Sequence, residues 1–211
     1  LKNEYYCYER REVLDLIPNV PTTVLELGCG EGDFGSLLKQ TYQCKVTGIE
    51  LCAEAASKAK EKLDTVYNTS IEEFDLTQLG KVDLIVANDL LEHLKDPWSV
   101  VSILRNNLCD DGCFIASIPN IRHYKIFNQL FIEGNWEYVE SGLLDRTHLR
   151  FFTRKTMMEL FQHNQYVVKS ISPINVKKIK ARPRNILRLL LKYFLPDLYT
   201  LQFVVVAQKQ K

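Results

Sequence analysis

The densest chemistry in this chain lies in ten consecutive residues. Val24-Leu25-Glu26-Leu27-Gly28-Cys29-Gly30-Glu31-Gly32-Asp33 joins a short apolar run to a turn of three glycines set among carboxylates. Glycines at alternate positions let the backbone adopt left-handed φ and let a ligand approach amides that a Cβ would shield. Such a turn cradles a nucleotide-like ligand. A diphosphate meets Glu26, Glu31 and Asp33 there, each repelling it by roughly 4 kcal/mol at ~4 Å for an effective dielectric of ~20. A cationic nucleoside is better matched. S-adenosylmethionine, with an adenosine body, a sulfonium, an ammonium and no phosphate, suits the turn electrically.

Read mechanically, Gly30, Gly32 and Gly35 satisfy the G-x-G-x-x-G spacing of a nicotinamide-cofactor turn, with Glu50 about twenty residues further on. Counted from Gly28, the first glycine after the run, the third glycine falls at position 33, where Asp33 stands. Glu50 can accept ribose hydroxyls of either cofactor through charge-assisted bonds of roughly 1.5 to 3 kcal/mol each. It points to a nucleoside without saying which. Candidate proton acceptors are His93 in Leu91-Glu92-His93-Leu94, His148 in Asp145-Arg146-Thr147-His148, and His123 after Pro119-Asn120; His163 is expected on a helix surface. Six cysteines are scattered without C-x-x-C spacing, and no metal site is expected.

The elements that must position these groups alternate between Val24 and Ala116. Strands are expected at Val24–Leu27, Lys45–Ile49 ending on Glu50, Thr65–Tyr67, Val82–Ala87 and Cys113–Ala116, the last entered through the turn Asp110-Asp111-Gly112. Helical patterns lie between them, over Phe34–Lys39, Ala53–Leu63 and Trp98–Leu108. This alternation marks βαβ units and a mainly parallel sheet. After Pro119 it lapses for about thirty residues, a length that in a compact domain is functional or carries structure of its own. Thr153 then has the chemistry of an N-cap for a helix through Gln162, and Tyr166–Ile171 and Leu201–Ala207 read as two further strands. The expected organisation is one domain over 1–211, with an N-terminal helix in 1–21, a lid or acceptor insertion at 119–150 and a helical insertion at 173–200 between the last two strands.

Length and charge set bounds on function. At 211 residues the chain suits one core, and 27 basic against 26 acidic residues leave no overall footprint for a polyanion. The basic run from Lys177 to Arg184 is read as a solvated face, and the apolar helix Ile186–Leu195 as packing on the core or forming a homodimer contact rather than lying on a membrane. No apolar run reaches the length of a membrane span and no secretory pattern opens the chain, so a cytoplasmic, reduced protein is expected.

Three strings together resemble the class I S-adenosylmethionine-dependent methyltransferases: Leu25-Glu26-Leu27-Gly28-Cys29-Gly30-Glu31-Gly32, Gly48-Ile49-Glu50, and Asp83-Leu84-Ile85-Val86-Ala87-Asn88-Asp89-Leu90-Leu91-Glu92-His93-Leu94. The resemblance covers most of residues 22–172. It implies an α/β fold, a Rossmann-like doubly wound seven-stranded sheet in the order 3-2-1-4-5-7-6 with its last strand antiparallel and helices on both faces. It also implies Glu26 and the backbone of Gly28, Cys29, Gly30 and Gly32 beside the methionine part of the cofactor, and Glu50 on the ribose with Leu51 following it. Ser70 stands where the family commonly offers an acidic side chain to the adenine amine, with Ile71 next to it. Asn88 and Asp89 are placed along the pocket with Leu90 packing nearby.

Methyl transfer is an in-line displacement, so the enzyme must align the acceptor and, for a hydroxyl, remove its proton. His148 is the preferred base, with Asp145, three residues earlier, holding its tautomer; tying the long connection to the helix start is its structural alternative. His93 belongs to an E-H pair that in the family often shapes the loop. The string Asp145–Thr153 resembles a segment of methyltransferases associated with glycans and small hydroxylated acceptors. The fourth strand does not run into a proline-proline-aromatic loop, which disfavours amide and adenine-amine acceptors, and no proline-cysteine nucleophile supports attack on cytosine. The expectation is O-methylation of a small or saccharide-linked acceptor. An NAD-dependent oxidoreductase and a non-catalytic interaction module on the same fold are the alternatives left open by the sequence.

Overall fold

The computed structural model describes residues 10–176 and 193–210. The first apolar run forms the middle of a sheet. β1 (Thr23–Leu27) pairs in parallel with β2 (Lys45–Glu50) on one side and β4 (Val82–Asn88) on the other, placing Leu27 between Ile49 and Ala87. A strand paired on both edges and covered on both faces has no wet side and reads as continuously apolar, which is why Leu84, Ile85, Val86 and Ala87 are all buried. β3 (Thr65–Asn68) adds outside β2 and β5 (Leu108–Pro119) outside β4, both parallel. β7 (Thr200–Lys209) then pairs antiparallel with β5, and β6 (Tyr166–Val176) antiparallel with β7. The order is 3-2-1-4-5-7-6, the order and the antiparallel last strand that the resemblance implied.

Alternate side chains along each strand enter opposite layers. Leu25, Leu27, Ile85, Ala87, Phe114 and Ala116 pack with α4 (Pro97–Leu104) and α6 (Arg154–His163), whose Val101, Leu104, Met157 and Phe161 are fully buried. Val24, Val46, Leu84, Val86 and Ile115 face the other way, against α1 (Arg11–Leu14), α2 (Asp33–Tyr42) and α3 (Ala53–Ala59). α5 (Tyr124–Phe127) stands in the connection after β5, followed by a wide turn over Asn128–Ile132. Thr153 caps α6 as expected, with its hydroxyl accepting from the Thr156 N–H while the Thr156 hydroxyl accepts from the Thr153 N–H.

Several boundaries differ from the sequence reading for local reasons. α4 begins at Pro97, because Asp96 accepts the Ser99 N–H at 3.1 Å and caps it, and it ends at Leu104 rather than Leu108. Leu108 already pairs with Val82, whereas the next paired couple is Leu84 with Cys113, so Asp110-Asp111-Gly112 bulges out of β5 instead of leading into it. α3 stops at Ala59, leaving Leu63 to turn in beneath the glycine turn. β6 extends to Val176, past the expected start of the helical insertion; the basic run 177–184 and most of the apolar helix 186–195 lie outside the described residues, as does the beginning of the N-terminal segment. Among the described residues no helix is long and apolar enough to cross a membrane.

Candidate active site

All three glycines of the turn after β1 are left-handed, with φ of +62° at Gly28, +55° at Gly30 and +80° at Gly32. At Gly28 a Cβ would also stand 3.1 Å from the Leu90 side chain, so the turn passes close to the loop after β4. Four of its amides are engaged inside the protein. Gly28 and Cys29 donate to the Ile49 carbonyl, Gly32 donates to the Cys29 carbonyl, and Gly30 donates to Glu50 Oε2 at 2.9 Å. Glu50 Oε1 accepts from the Cys52 N–H at 2.8 Å. The carboxylate at the tip of β2 is therefore buried and fixed against the turn, while Leu51 beside it is exposed. Ile71 is in the core, and the Ser70 hydroxyl accepts from the Glu72 N–H at 3.2 Å.

The acids of the turn are not equivalent. Glu31 pairs with Lys58 Nζ at 2.7 Å and Asp33 with Lys62 Nζ at 2.5 Å, both lysines arriving from α3 and the residues just after it. These pairs cancel much of the repulsion that the sequence reading assigned to the two side chains. Glu26 keeps its own chemistry. It is 3% exposed, its Oε2 has no hydrogen-bond partner, and burial pushes its pKa up to about 8, with Asp33 and Glu50 adding to the rise and the Gly35 amide opposing it.

At the end of β4, both polar atoms of the Asn88 side chain are buried without a partner. Asp89 is held instead: it has φ +49°, ion-pairs with Arg10, and accepts from Ser117 Oγ at 3.2 Å and Gln202 Nε2 at 2.5 Å. Just beyond, a short helical turn over Leu91–His93 meets the far end of the long connection. The Glu92 carbonyl accepts the amides of Leu149 and Arg150 at 2.8 and 2.9 Å, clipping that segment to the loop. His93 Nδ1 lies 3.2 Å from the Thr147 carbonyl and 3.1 Å from its hydroxyl, and that hydroxyl donates to Asp145 Oδ1 at 2.6 Å. A carbonyl only accepts, so Nδ1 carries the proton and the imidazole lone pair sits on Nε2. The same reasoning applies to His148, whose Nδ1 lies 3.3 Å from the Leu143 carbonyl.

The two rings are 4.7 Å apart and steeply inclined. Burial lowers the pKa of both imidazoles, and for His148 the neighbouring His93 lowers it further. Glu92, 1% exposed, has neither carboxylate oxygen hydrogen-bonded, and burial lifts its pKa to about 8. One Glu92 oxygen and one nitrogen of each imidazole lie within 4.8 Å of one another. Phe151 stands 6.4 Å from His148 and Trp136 5.6 Å from Phe151, giving the cluster an aromatic flank.

A family model described as a methyltransferase domain matches residues 2–171. The chain is a class I S-adenosylmethionine-dependent methyltransferase. A crystal structure of a SAM-dependent methyltransferase from Archaeoglobus fulgidus superposes with a TM-score of 0.71 over 99% of this chain and 97% of its own, at 16% identity, a likeness of fold. The ubiquinone biosynthesis O-methyltransferase of Glaesserella parasuis serovar 5 (strain SH0165) is 29% identical over 138 residues, 59% of this chain and 56% of that protein. The trans-aconitate 2-methyltransferase of Azoarcus sp. (strain BH72) is 30% identical over 114 residues, 52% of this chain and 45% of that protein. The chain thus spans about half the length of the curated relatives it matches. S-adenosylmethionine is its cofactor, and the nicotinamide alternative falls with that assignment.

The methyltransferase fold gathers the sequence candidates unequally. His93 and His148, 55 residues apart in the chain, are brought together. Asp145 does not hold the His148 ring: its carboxylate accepts the Thr147 amide and hydroxyl, and the Leu143 carbonyl takes His148 Nδ1. His123 caps α5, accepting the Lys125 N–H, and His163 ends α6 exposed. The sequence reading missed Thr147, which orients His93, and Arg10, which pairs with Asp89. It also missed Arg150, whose guanidinium lies 5.8 Å from the Trp98 ring. The four-residue spacing of Lys58 and Lys62 could have signalled their pairing with the turn; no local pattern marks Arg10.

Proposed function

We propose that this methyltransferase transfers its methyl group to a hydroxyl oxygen of a small or saccharide-linked acceptor. The observation that supports this reading is the meeting of Glu92 and His93 with His148 beside Trp136 and Phe151, at the end of the sheet where β4 terminates. When bound, the cofactor supplies an electrophilic methyl on a positively charged sulfur. Glu26 and the Gly28–Gly32 backbone bind its methionine part, Glu50 its ribose, and Ser70 and Ile71 border its adenine. Asn88, whose buried amide lacks a partner, turns its polar atoms to the ligand, and Asp89 and Leu90 line the same pocket. The 119–150 segment is the lid over the acceptor, and His148 and His93 promote loss of the acceptor proton, with Asp145 acting through Thr147. The aromatic flank presents apolar faces and polar rims suited to a ring-shaped hydroxylated substrate.

Two relatives support a small acceptor, one named for ubiquinone biosynthesis and the other for trans-aconitate. The test is a panel of phenols, sugars, nucleotide-linked sugars and carboxylic acids incubated with S-adenosylmethionine, read by release of S-adenosylhomocysteine and by mass spectrometry of the product. Methyl ethers are expected, with turnover falling at least tenfold in His148→Ala. Methylation confined to nitrogen, sulfur or carboxylate refutes the reading.

A further inference from the structure

We propose that Glu92, His93 and His148 bind a divalent cation of the zinc, manganese or cobalt kind, and that this ion ties the 119–150 connection to the loop after β4. Glu92 is the starting point. A carboxylate this deeply buried, with both oxygens lacking hydrogen bonds, is costly in ionised form unless a cation faces it. Among the described residues no lysine or arginine forms a salt bridge with it; Arg10, the cation that acts on it from a distance, is engaged by Asp89. The partners that do face it are two imidazoles.

Each imidazole is set up as a ligand. Metal-binding histidines donate their second N–H to a carbonyl or carboxylate, which fixes the tautomer and leaves the other nitrogen to coordinate. Here the Thr147 carbonyl takes His93 Nδ1 and the Leu143 carbonyl takes His148 Nδ1. Thr147 is in turn fixed by Asp145. Two neutral imidazoles and one carboxylate are the donor set of borderline transition-metal ions, whereas magnesium and calcium take oxygen donors. One Glu92 oxygen and one nitrogen of each ring lie within 4.8 Å of one another, and bonds of about 2.0–2.2 Å would draw the ligand atoms to roughly 3–3.5 Å. Two ligands come from one short turn and the third from the far end of the connection, so coordination closes a long loop. On the reading that the acceptor hydroxyl meets this cluster, the ion would ease loss of the hydroxyl proton to solvent near neutral pH, because a cation stabilises the oxyanion left behind. His148 then promotes deprotonation as a ligand and not as the proton acceptor.

The experiment is calorimetric titration of chelator-treated protein with zinc, manganese, cobalt and magnesium salts, with the visible absorption of bound cobalt recorded in parallel. Saturable binding of about one equivalent is expected for the first three, at least thirtyfold weaker for magnesium, and weakened at least tenfold in both Glu92→Gln and His148→Asn. Glu92→Gln keeps side-chain size and His148→Asn keeps a polar side chain, and circular dichroism and melting curves check the folding of both. Absence of saturable binding, or binding that neither variant weakens, overturns the proposal. Methyl-ether formation that persists in chelator overturns the cation while leaving the O-methylation reading standing. Metal binding in a protein that methylates only nitrogen or sulfur does the reverse.

Discussion

Replacing Glu26 by glutamine should remove a pH dependence from cofactor binding. Glu26 lies one residue before the end of β1, and burial holds its pKa at about 8, with Asp33 and Glu50 reinforcing the effect. At pH 7 such a group is charged in about one molecule in ten, and at pH 6 in about one in a hundred, each tenfold step corresponding to about 1.4 kcal/mol. An ammonium on the methionine part of the cofactor stays protonated below its ordinary pKa of about 7.7, so in this window only the protein group titrates. Affinity measured by calorimetry should rise roughly tenfold from pH 6 to pH 7 in the native protein and stay level in Glu26→Gln. The sign in the unliganded protein is opposite. A carboxyl whose folded pKa lies above its unfolded value of 4.5 adds stability below 4.5 and loses that contribution as pH rises through about 8. The variant should therefore gain on the native protein in melting temperature as pH rises across that interval. Equal slopes of affinity in the two proteins would refute the reasoning.

Three further outcomes follow from the geometry. Gly35→Ala should abolish cofactor binding or lower stability by about 1–3 kcal/mol in urea melts, because its Cβ would stand 2.5 Å from Glu26 Oε2 and 2.6 Å from the Leu63 side chain. Thr147→Val should lower turnover about tenfold without changing cofactor affinity, with Thr147→Ser restoring it, since the hydroxyl links Asp145 to His93; equal loss in the serine variant would argue against a positioning role. Thr153→Ala should cost about 1 kcal/mol in denaturant unfolding through loss of the α6 cap.

The sheet was legible because its strands are β-branched apolar runs separated by helical patterns, and because parallel strands must be buried on both faces. Leu84 to Ala87 could hardly be anything else. Boundaries failed where a backbone irregularity decided them: nothing in Cys109-Asp110-Asp111-Gly112 distinguishes a bulge inside β5 from a turn before it. The chemistry was legible by residue type and only partly by partner. His93 and His148 stood out as candidates, but their tautomers are set by the carbonyls of Thr147 and Leu143, and a carbonyl carries no letter in a sequence. Asp145, a side chain three residues from His148, was the visible partner and the incorrect one. Lys58 and Lys62 changed the electrostatics of the turn from a distance of 27 and 29 residues.

That last change alters the argument for the cofactor without altering its conclusion. With Glu31 and Asp33 each paired to a lysine, charge alone no longer expels a diphosphate from the turn. What opposes a diphosphate is the use made of the amides. A pyrophosphate at such a turn depends on backbone N–H groups pointing at its oxygens, and here Gly28, Cys29 and Gly32 donate to carbonyls while Gly30 donates to Glu50. The Glu50 carboxylate stands where an anion would have to stand, and draws on the same donor. The turn holds its own anion, and a ligand entering beside it gains by bringing a positive charge or neutral hydroxyls. Glu50 thus links the two halves of the site: it organises the glycine turn through Oε2 and the start of α3 through the Cys52 amide on Oε1. Its remaining lone pairs are available to hydroxyl donors, which a ribose supplies and a phosphate at neutral pH does not.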